Sequence, residues 1–238
     1  MAFFTADDGV RLYYEATGEG KPVVLIHGLT AGSLFFRKQI PALSGHFSVI
    51  APDLRGHGQS ECGSDHLTLK RLADDLKQLL AELHISKASL VGWSMGAHVI
   101  FEYVKNYSCD SINKIVIIDM SPKLMKSDDW SYGMTGVTSR RPGDFSHEDN
   151  LFLLSVMLRD WDAYSRVVAQ RILNKSLYNE KMEFNADADF KGKDDLLWLY
   201  EQVRQNKASV IAAFWIAMVT QDYRSVLKDL AVPCLLAY

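Results

Sequence analysis

The stretch from 88 to 104, Ala-Ser-Leu-Val-Gly-Trp-Ser-Met-Gly-Ala-His-Val-Ile-Phe-Glu-Tyr-Val, decides how the rest of the chain is interpreted. Residues 89–91 are typical of the end of a buried strand, and residues 97–104 are typical of a helix. Between them lies a G-x-S-x-G pentapeptide, 92–96, in the strand–turn–helix context that gives this motif its meaning. We predict that Ser94 is strained, with its hydroxyl projecting from the turn, and that a side chain at position 92 or 96 would collide with backbone. The pentapeptide therefore indicates a nucleophilic serine at the N-terminus of a helix, where free N–H groups suit a developing oxyanion.

The segments around the pentapeptide alternate between strand and helix patterns. Upstream, we predict short strands at 3–5 and 11–16 around an Asp8-Gly9 hairpin turn, and buried strands at 23–26 and 47–51. Apolar residues with 3 and 4 spacing predict an amphipathic helix over 67–83, and another buried strand follows at 114–118. This alternation predicts an α/β protein with a mostly parallel central sheet and helices on both faces.

After Pro122 the pattern changes. Residues 124–149 are polar and rich in turn residues, and helices are predicted over 150–178 and 194–222 with no strand between them. We therefore expect a core over 1–123, a helical cap insertion over 124–222 and a return to the core over 223–238. The insertion is rich in aromatic residues; some of them could line a pocket, although an aromatic residue in a helical stripe more often belongs to a core.

Composition excludes several classes of partner. A chain of 238 residues with 48% apolar and 23% charged residues suits one sizeable domain, or one domain with an insertion. A net charge of -3 gives no basic footprint for nucleic acid. The N-terminus has no signal-peptide pattern, and the longest apolar run is too short for a membrane span. Three scattered cysteines indicate a reducing compartment, so we expect a cytoplasmic protein.

Four segments carry a family resemblance: Leu-Ile-His-Gly-Leu-Thr at 25–30, Asp-Leu-Arg-Gly-His-Gly-Gln-Ser at 53–60, Gly-Trp-Ser-Met-Gly at 92–96, and Val-Pro-Cys-Leu-Leu-Ala-Tyr at 232–238. On these motifs the chain resembles the α/β-hydrolase family over essentially its whole length. It looks most like the esterase and cofactor-free haloperoxidase-like branch, with a helical cap after the sixth strand. The resemblance implies the α/β-hydrolase fold and suggests neither a metal nor an organic cofactor.

The resemblance also implies roles for individual residues. Ser94 is the expected nucleophile, and the backbone N–H groups of Leu29 and Met95 are the expected oxyanion hole. His27 and Gly28 are expected to support this site, His27 by holding its loop through hydrogen bonds rather than by transferring protons.

The sequence assigns the catalytic acid and base less completely than it assigns the nucleophile. Some relatives place the acid after the sixth strand, where Asp119 stands, and others after the seventh, which lies beyond Tyr238. Asp119 could instead cap the turn before Ser121. None of the seven histidines sits in the family position after an eighth strand. Among them, His57 lies in a turn that is usually structural, and His98 lies on the helix that follows Ser94. We therefore expect the chain to be a fragment lacking roughly 30 residues, the catalytic histidine among them.

Together these features predict a serine hydrolase that cleaves a small carboxylic ester or thioester through an acyl-enzyme. An epoxide hydrolase or dehalogenase is disfavoured, because those relatives need a carboxylate where Ser94 stands. A protein of a different class, a non-catalytic member that binds a small molecule in the same pocket, stays open as the alternative. The sequence names neither the substrate nor the oligomeric state.

Overall fold

The computed structural model describes residues 2–63, 67–132, 147–172 and 194–237. Its first two strands, β1 (Ala2–Thr5) and β2 (Arg11–Thr17), form the predicted hairpin, with Gly9 at a φ of 82°. The described residues add five further strands: β3 (Lys21–Ile26), β4 (Phe47–Pro52), β5 (Ala88–Trp93), β6 (Ile112–Ile118) and β7 (Cys234–Ala237). Their helices are α1 (Gln39–Ser44), α2 (Leu69–Glu82), α3 (Met95–Tyr107), α4 (His147–Arg159), α5 (Trp161–Ile172), α6 (Asp194–Arg204) and α7 (Ala208–Val219).

The strands form one sheet in the order β1-β2-β4-β3-β5-β6-β7. The pairs β1–β2 and β2–β4 are antiparallel, and every pair from β4 to β7 is parallel. This confirms the predicted α/β class and the mostly parallel sheet. Because the strand order jumps from β4 to β3 to β5, the carboxyl ends of the central strands meet at one edge, where ligands bind in open α/β sheets.

Both faces of the central strands are covered. On one face, Val23 and Leu25 belong to a core cluster with Phe36 and Ile40, which come from the segment between β3 and β4. On the other face, α3 packs on β5 and β3, and α2 packs on α3. All four residues of the predicted strand 23–26 are at most 8% exposed. A continuous apolar run is therefore explained by burial from both sides.

Helix α2 begins where its capping residue allows. The Thr68 hydroxyl accepts a hydrogen bond from the N–H of Arg71 at 3.1 Å, so the helix begins at Leu69 rather than at 67. Burial of Leu72, Leu76 and Leu79 on one side then fixes its orientation against the core.

The chain divides into two compact units, residues 1–124 with 213–238, and residues 125–212. Within the second unit α5 packs on α4 and α6, and the Tyr200 hydroxyl donates to Asp162. That the segment 124–222 caps the active site stays a prediction.

The prediction of two long helices in this segment was wrong, because each of them is interrupted. The helix predicted over 150–178 is two helices, α4 and α5, and residues 173–178 lie outside the described residues. The break falls at Asp160, whose carboxylate accepts from the N–H of Ala163 at 2.9 Å and caps α5. The helix predicted over 194–222 is likewise divided into α6 and α7. Here the Asn206 side-chain amide donates to the carbonyls of Gln202 and Val203, which ends α6.

Across the described ranges, none of the helices is both long and apolar enough to span a membrane.

A buried ionic network joins the hairpin, the 53–60 turn and α2. The guanidinium of Arg55, with its side chain 0% exposed, donates from Nε and Nη2 to the two carboxylate oxygens of Asp75, each at 2.9 Å. Its Nη1 lies 2.8 Å from Asp8 Oδ2. Arg71 approaches the same Asp75 and also pairs with Asp7 at 2.8 Å. Two cations and three carboxylates thus satisfy one another where isolated charges would be costly.

Candidate active site

Ser94 lies in the turn between β5 and α3, and its backbone is strained as predicted. Its φ and ψ are 52° and -119°, which an L-residue rarely adopts. The Ser94 N–H donates to the Ile118 carbonyl at 3.0 Å, which ties the turn to the end of β6. Ser94 is half-buried, and its hydroxyl makes no capping hydrogen bond to α3. The hydroxyl is therefore not committed to the helix that it precedes.

The glycines around Ser94 leave no room for side chains, as predicted. A Cβ at Gly92 would lie 2.6 Å from the Ala97 nitrogen. A Cβ at Gly96 would overlap the Ile26 carbonyl oxygen and would lie 2.9 Å from the His27 carbonyl oxygen. The first turn of α3 therefore touches the end of β3 directly, backbone against backbone.

We expect Gly96→Ala to lower the free energy of unfolding by about 2–3 kcal/mol, because α3 or the end of β3 must move to admit the methyl group. Chemical denaturation measures this change. Gly45→Ala is the matched control: Gly45 has a φ of -69° and nothing within 4 Å of its Cβ position, so the change should be neutral or slightly stabilising. Equal stability of the Gly96→Ala variant and the wild type would contradict the described packing.

The loop 27–30 lies beside the serine. A Cβ on Gly28 would lie only 3.0 Å from the Ser94 Cβ, so the backbone of Gly28 passes against that side chain. In the described residues, no acceptor takes the N–H of Leu29 or of Met95, and Met95 is the first residue of α3, where an N–H has no intrahelical partner. The two predicted oxyanion donors are thus both unengaged at this edge of the sheet. Their role in catalysis stays a prediction.

His27 makes the hydrogen bonds that a loop-holding role requires. The Leu54 N–H donates to His27 Nε2 at 2.8 Å, so the proton of the neutral ring is on Nδ1, which lies 2.8 Å from the Gly28 carbonyl oxygen. The ring is 0% exposed, and burial lowers its pKa to about 4. His27 therefore links the 53–60 turn to the loop 27–30 as an uncharged side chain.

Asp119 and Ser94 stand at the same edge of the sheet. Trp93 and Ile118 are register partners at the ends of β5 and β6, and Ser94 and Asp119 directly follow them. Asp119 has a φ of 50°, and its N–H donates to the Ala237 carbonyl at 2.9 Å. Its side chain is exposed. Among the described residues its carboxylate has no hydrogen-bond partner.

The described residues supply no base to Ser94. His57 lies beside His27, with ring centroids 5.1 Å apart, and its Nδ1 donates to the Arg55 carbonyl at 3.0 Å. His98 Nε2 donates to the Ser121 carbonyl at 2.9 Å. Burial lowers the pKa of His57 to about 3 and of His98 to about 4. These buried histidines are therefore uncharged and engaged with backbone carbonyls.

We expect acid to destabilise the protein because His27, His57 and His98 are buried uncharged. Their folded pKa values of about 4, 3 and 4 lie below the value of 6.5 of a free histidine. The unfolded state therefore binds more protons, and the free energy of unfolding falls as the pH drops below 6.5. At pH 5 each histidine should cost about 2 kcal/mol relative to pH 7 or above. Urea midpoints at pH 7 and pH 5 measure the difference. His98→Gln should reduce it, and a midpoint independent of pH would contradict this account.

Asp53 organises the site, a role the sequence analysis missed. Its carboxylate accepts from the N–H of Ser33 at 2.6 Å and from the N–H of Gln59 at 2.8 Å, so it joins the segment after the loop 27–30 to the 53–60 turn. A Cβ at Gly58 would overlap this carboxylate, which explains a glycine there at a φ of 51°. The available signal was an acidic residue at a strand end, directly before a glycine-rich turn.

Comparison with known proteins identifies the family of the fold. The sequence model of the alpha/beta hydrolase fold family matches residues 21–222. A soluble epoxide hydrolase from Corynebacterium sp. (strain C12) is 36% identical over 122 residues, which are 51% of this chain and 42% of that protein. The non-heme chloroperoxidase CPO-A1 from Kitasatospora aureofaciens is 35% identical over 130 residues, 54% of this chain and 47% of that protein. The chain spans about half the length of the curated relatives it matches.

Two solved structures share the architecture. A bromoperoxidase from Bacillus anthracis has a TM-score of 0.81 at 25% identity, covering 99% of this chain and 80% of that one. The esterase EaEST from Exiguobacterium antarcticum also has a TM-score of 0.81, at 21% identity over 99% of this chain and 79% of that one. The chain therefore belongs to the alpha/beta hydrolase fold family, and its relatives are those of the haloperoxidase-like branch.

Proposed function

We propose that the full-length protein is a serine hydrolase that cleaves a small carboxylic ester or thioester through an acyl-enzyme on Ser94. The observation that carries the proposal is the backbone of Ser94, at a φ of 52° between β5 and the first residue of α3. Strain of this kind persists where function needs the side chain in one place.

The first chemical step is the attack of Ser94 Oγ on the substrate carbonyl carbon. A general base takes the hydroxyl proton, and the tetrahedral intermediate carries its negative charge on the former carbonyl oxygen. The unengaged N–H groups of Leu29 and Met95 are the donors for that oxygen. When the intermediate collapses, the bond to the alcohol or thiol breaks and the proton passes to the leaving group. Water then attacks the acyl-enzyme by the same route and releases the carboxylic acid.

The scheme needs a histidine as its base, which the described residues do not supply, and Asp119 is the acid that we favour to orient it. The exposed carboxylate of Asp119, at the same sheet edge as Ser94, is available to such a partner. The alternative, an acid after the seventh strand, would leave Asp119 as a turn residue. Asp119→Asn separates these two assignments, because only the first predicts a large loss of kcat.

We also propose that the segment 124–222 forms a cap that selects the substrate, and that the protein works in a reducing compartment such as the cytoplasm. Cys62, Cys109 and Cys234 are not joined by disulfides, which agrees with that location. The names of the relatives include an epoxide hydrolase and a chloroperoxidase. A serine at position 94 favours an acyl-enzyme over opening of an epoxide by a carboxylate. The second candidate function is binding of a small molecule without catalysis.

A fluorophosphonate probe separates the two candidates. It should label the full-length protein at Ser94 and fail to label a Ser94→Ala variant. Folded wild-type protein that takes up no probe would contradict the hydrolase proposal and favour the binding function.

A further inference from the structure

Helix α3 carries two buried polar side chains that the proposed chemistry does not use, and a third buried polar side chain packs against them. His98 and Glu102 are one turn apart on α3, and Tyr223 packs against them; we call these three residues the α3 cluster. Their exposed fractions are 0%, 5% and 0%. Ionisable side chains are rarely buried to this extent without partners. The contacts of the cluster therefore indicate what it holds in place.

His98 makes one hydrogen bond, and it leads to the loop after β6. Its Nε2 lies 2.9 Å from the carbonyl oxygen of Ser121. A carbonyl oxygen only accepts, so the ring proton is on Nε2. In the described part of the chain, Nδ1 has no hydrogen-bond partner. The ring is thus a single N–H donor directed at one main-chain oxygen.

Glu102 does not compete for that ring, because other donors occupy its carboxylate. The Tyr223 hydroxyl donates to Oε2 at 2.7 Å, and the Asn106 side-chain amide donates to Oε1 at 2.9 Å. The Tyr223 ring meets the His98 ring edge-on, with centroids 5.1 Å apart. Tyr223 and Glu102 therefore fix the orientation of the imidazole without taking its proton.

The loop that His98 holds also carries the proposed acid. Asp119 precedes Ser121 by two residues and has a φ of 50°. Farther along, the Pro122 carbonyl accepts from the Tyr223 N–H at 2.9 Å. Hydrogen bonds therefore hold the backbone around Asp119. The first joins its own N–H to β7, the second joins the Ser121 carbonyl to His98 on α3, and the third joins the Pro122 carbonyl to the N–H of Tyr223. The second connects the loop after Asp119 to α3, whereas before Asp119 the Ile118 carbonyl accepts from the N–H of Ser94.

We propose that His98 is a positioning residue: its Nε2–H fixes the Ser121 carbonyl to α3 and thereby sets Asp119 relative to Ser94. This inference rests on the proposed function with Asp119 as the acid. One helix then aligns two members of the catalytic set, the serine before its first residue and the acid loop one turn later. Without the N–H donor, the Ser121 carbonyl is buried unpaired or the loop moves to find another partner.

Two amide substitutions test the direction of the hydrogen bond. The amide nitrogen of glutamine is three bonds from Cβ, as His98 Nε2 is, whereas that of asparagine is two bonds away, as Nδ1 is. In the full-length protein, with a short-chain p-nitrophenyl ester, His98→Gln should keep kcat within about threefold. His98→Asn should lower kcat about 10- to 100-fold with KM nearly unchanged, since displacing a catalytic group by about 1 Å costs about that much. His98→Leu, which has no donor, is the second variant should His98→Asn fail to fold.

The pH profile gives a readout that a loss of stability would not change. If Asp119 is displaced from the catalytic histidine, the imidazolium loses its carboxylate partner and its pKa falls. The acidic limb of kcat/KM should then move to lower pH in His98→Asn and stay in place in His98→Gln. Tyr103→Phe is the matched control: it removes a hydrogen bond of another buried side chain of α3, between the Tyr103 hydroxyl and Ser111 Oγ at 2.7 Å, and leaves the α3 cluster intact, so kcat and the limb should not change.

The outcomes distinguish this inference from the function on which it rests. Equal kcat in His98→Gln and in the donorless variants, or an Asp119→Asn variant that stays active, overturns the positioning role and leaves the serine mechanism standing. A double variant of His98→Asn with Asp119→Asn should be no slower than Asp119→Asn alone, and additive losses would also overturn it. A Ser94→Ala variant that hydrolyses the ester as fast as the wild type overturns both proposals.

Discussion

Replacing Ser94 with alanine should lower kcat for a short-chain ester by about 10⁴-fold or more. The acyl-enzyme route has no substitute for the attacking hydroxyl, and what remains in such variants comes from oxyanion donors and binding alone. KM should change little, because the hydroxyl is used in the reaction rather than in binding the substrate. Steady-state kinetics on the full-length protein give both numbers.

Two controls separate chemistry from folding in this experiment. Ser94→Gly should be equally inactive, and glycine adopts a φ of 52° without strain, so a loss of stability cannot explain the result. Ser111 directly precedes β6, at the end of the strands opposite Ser94, and its hydroxyl contacts Tyr103. Ser111→Ala should therefore retain full activity. A Ser94→Ala variant that keeps more than about 1% of wild-type turnover would contradict the assignment.

The largest expected effect on stability belongs to Arg55. We expect Arg55→Met to lower the free energy of unfolding by about 3–5 kcal/mol, because it leaves Asp75, with its side chain 6% exposed, with half of its positive partners and removes a cation from Asp8. Methionine fills much of the volume, so the loss reports charge and hydrogen bonds more than a cavity. Urea denaturation near neutral pH measures it.

Arg71→Met is the matched comparison, since Arg71 contacts the same Asp75 but is 12% exposed and pairs outward with Asp7. It should cost clearly less than Arg55→Met. The double variant should cost more than the sum of the two, because it removes both basic partners of the buried Asp75. Equal losses of stability for the two arginine variants, or strictly additive losses, would contradict the claim that Arg55 is the main stabilising partner of the buried Asp75.

The sequence was informative where one physical requirement dominates. Continuous apolar runs predicted the central strands because burial on both sheet faces leaves no polar position, and Gly96 was predictable because backbone lies where its side chain would be. Strain at Ser94 followed from the same turn. Helix continuity was not predictable in the insertion, because Asp160 and Asn206 interrupt helices by side-chain hydrogen bonds that do not disturb the apolar pattern.

The supporting residues of the site depend on contacts between distant parts of the chain. The hydrogen bond of His98 joins it to a carbonyl 23 residues away, and that of Tyr223 joins it to Glu102 across 121 residues. Local sequence patterns therefore cannot predict either bond. Asp53 likewise acts on main-chain N–H groups, which every sequence contains. The strained serine could be predicted from a motif, whereas the residues that position its surroundings required coordinates.

Trapping the acyl-enzyme tests the central claim most directly. The full-length protein is mixed with a slowly hydrolysed ester, quenched in acid during turnover, and measured by intact and peptide mass spectrometry. We predict one acyl group per chain, located on the peptide that contains Ser94 and absent from the Ser94→Ala variant. Turnover without any covalent adduct, or an adduct on a different residue, would contradict the mechanism.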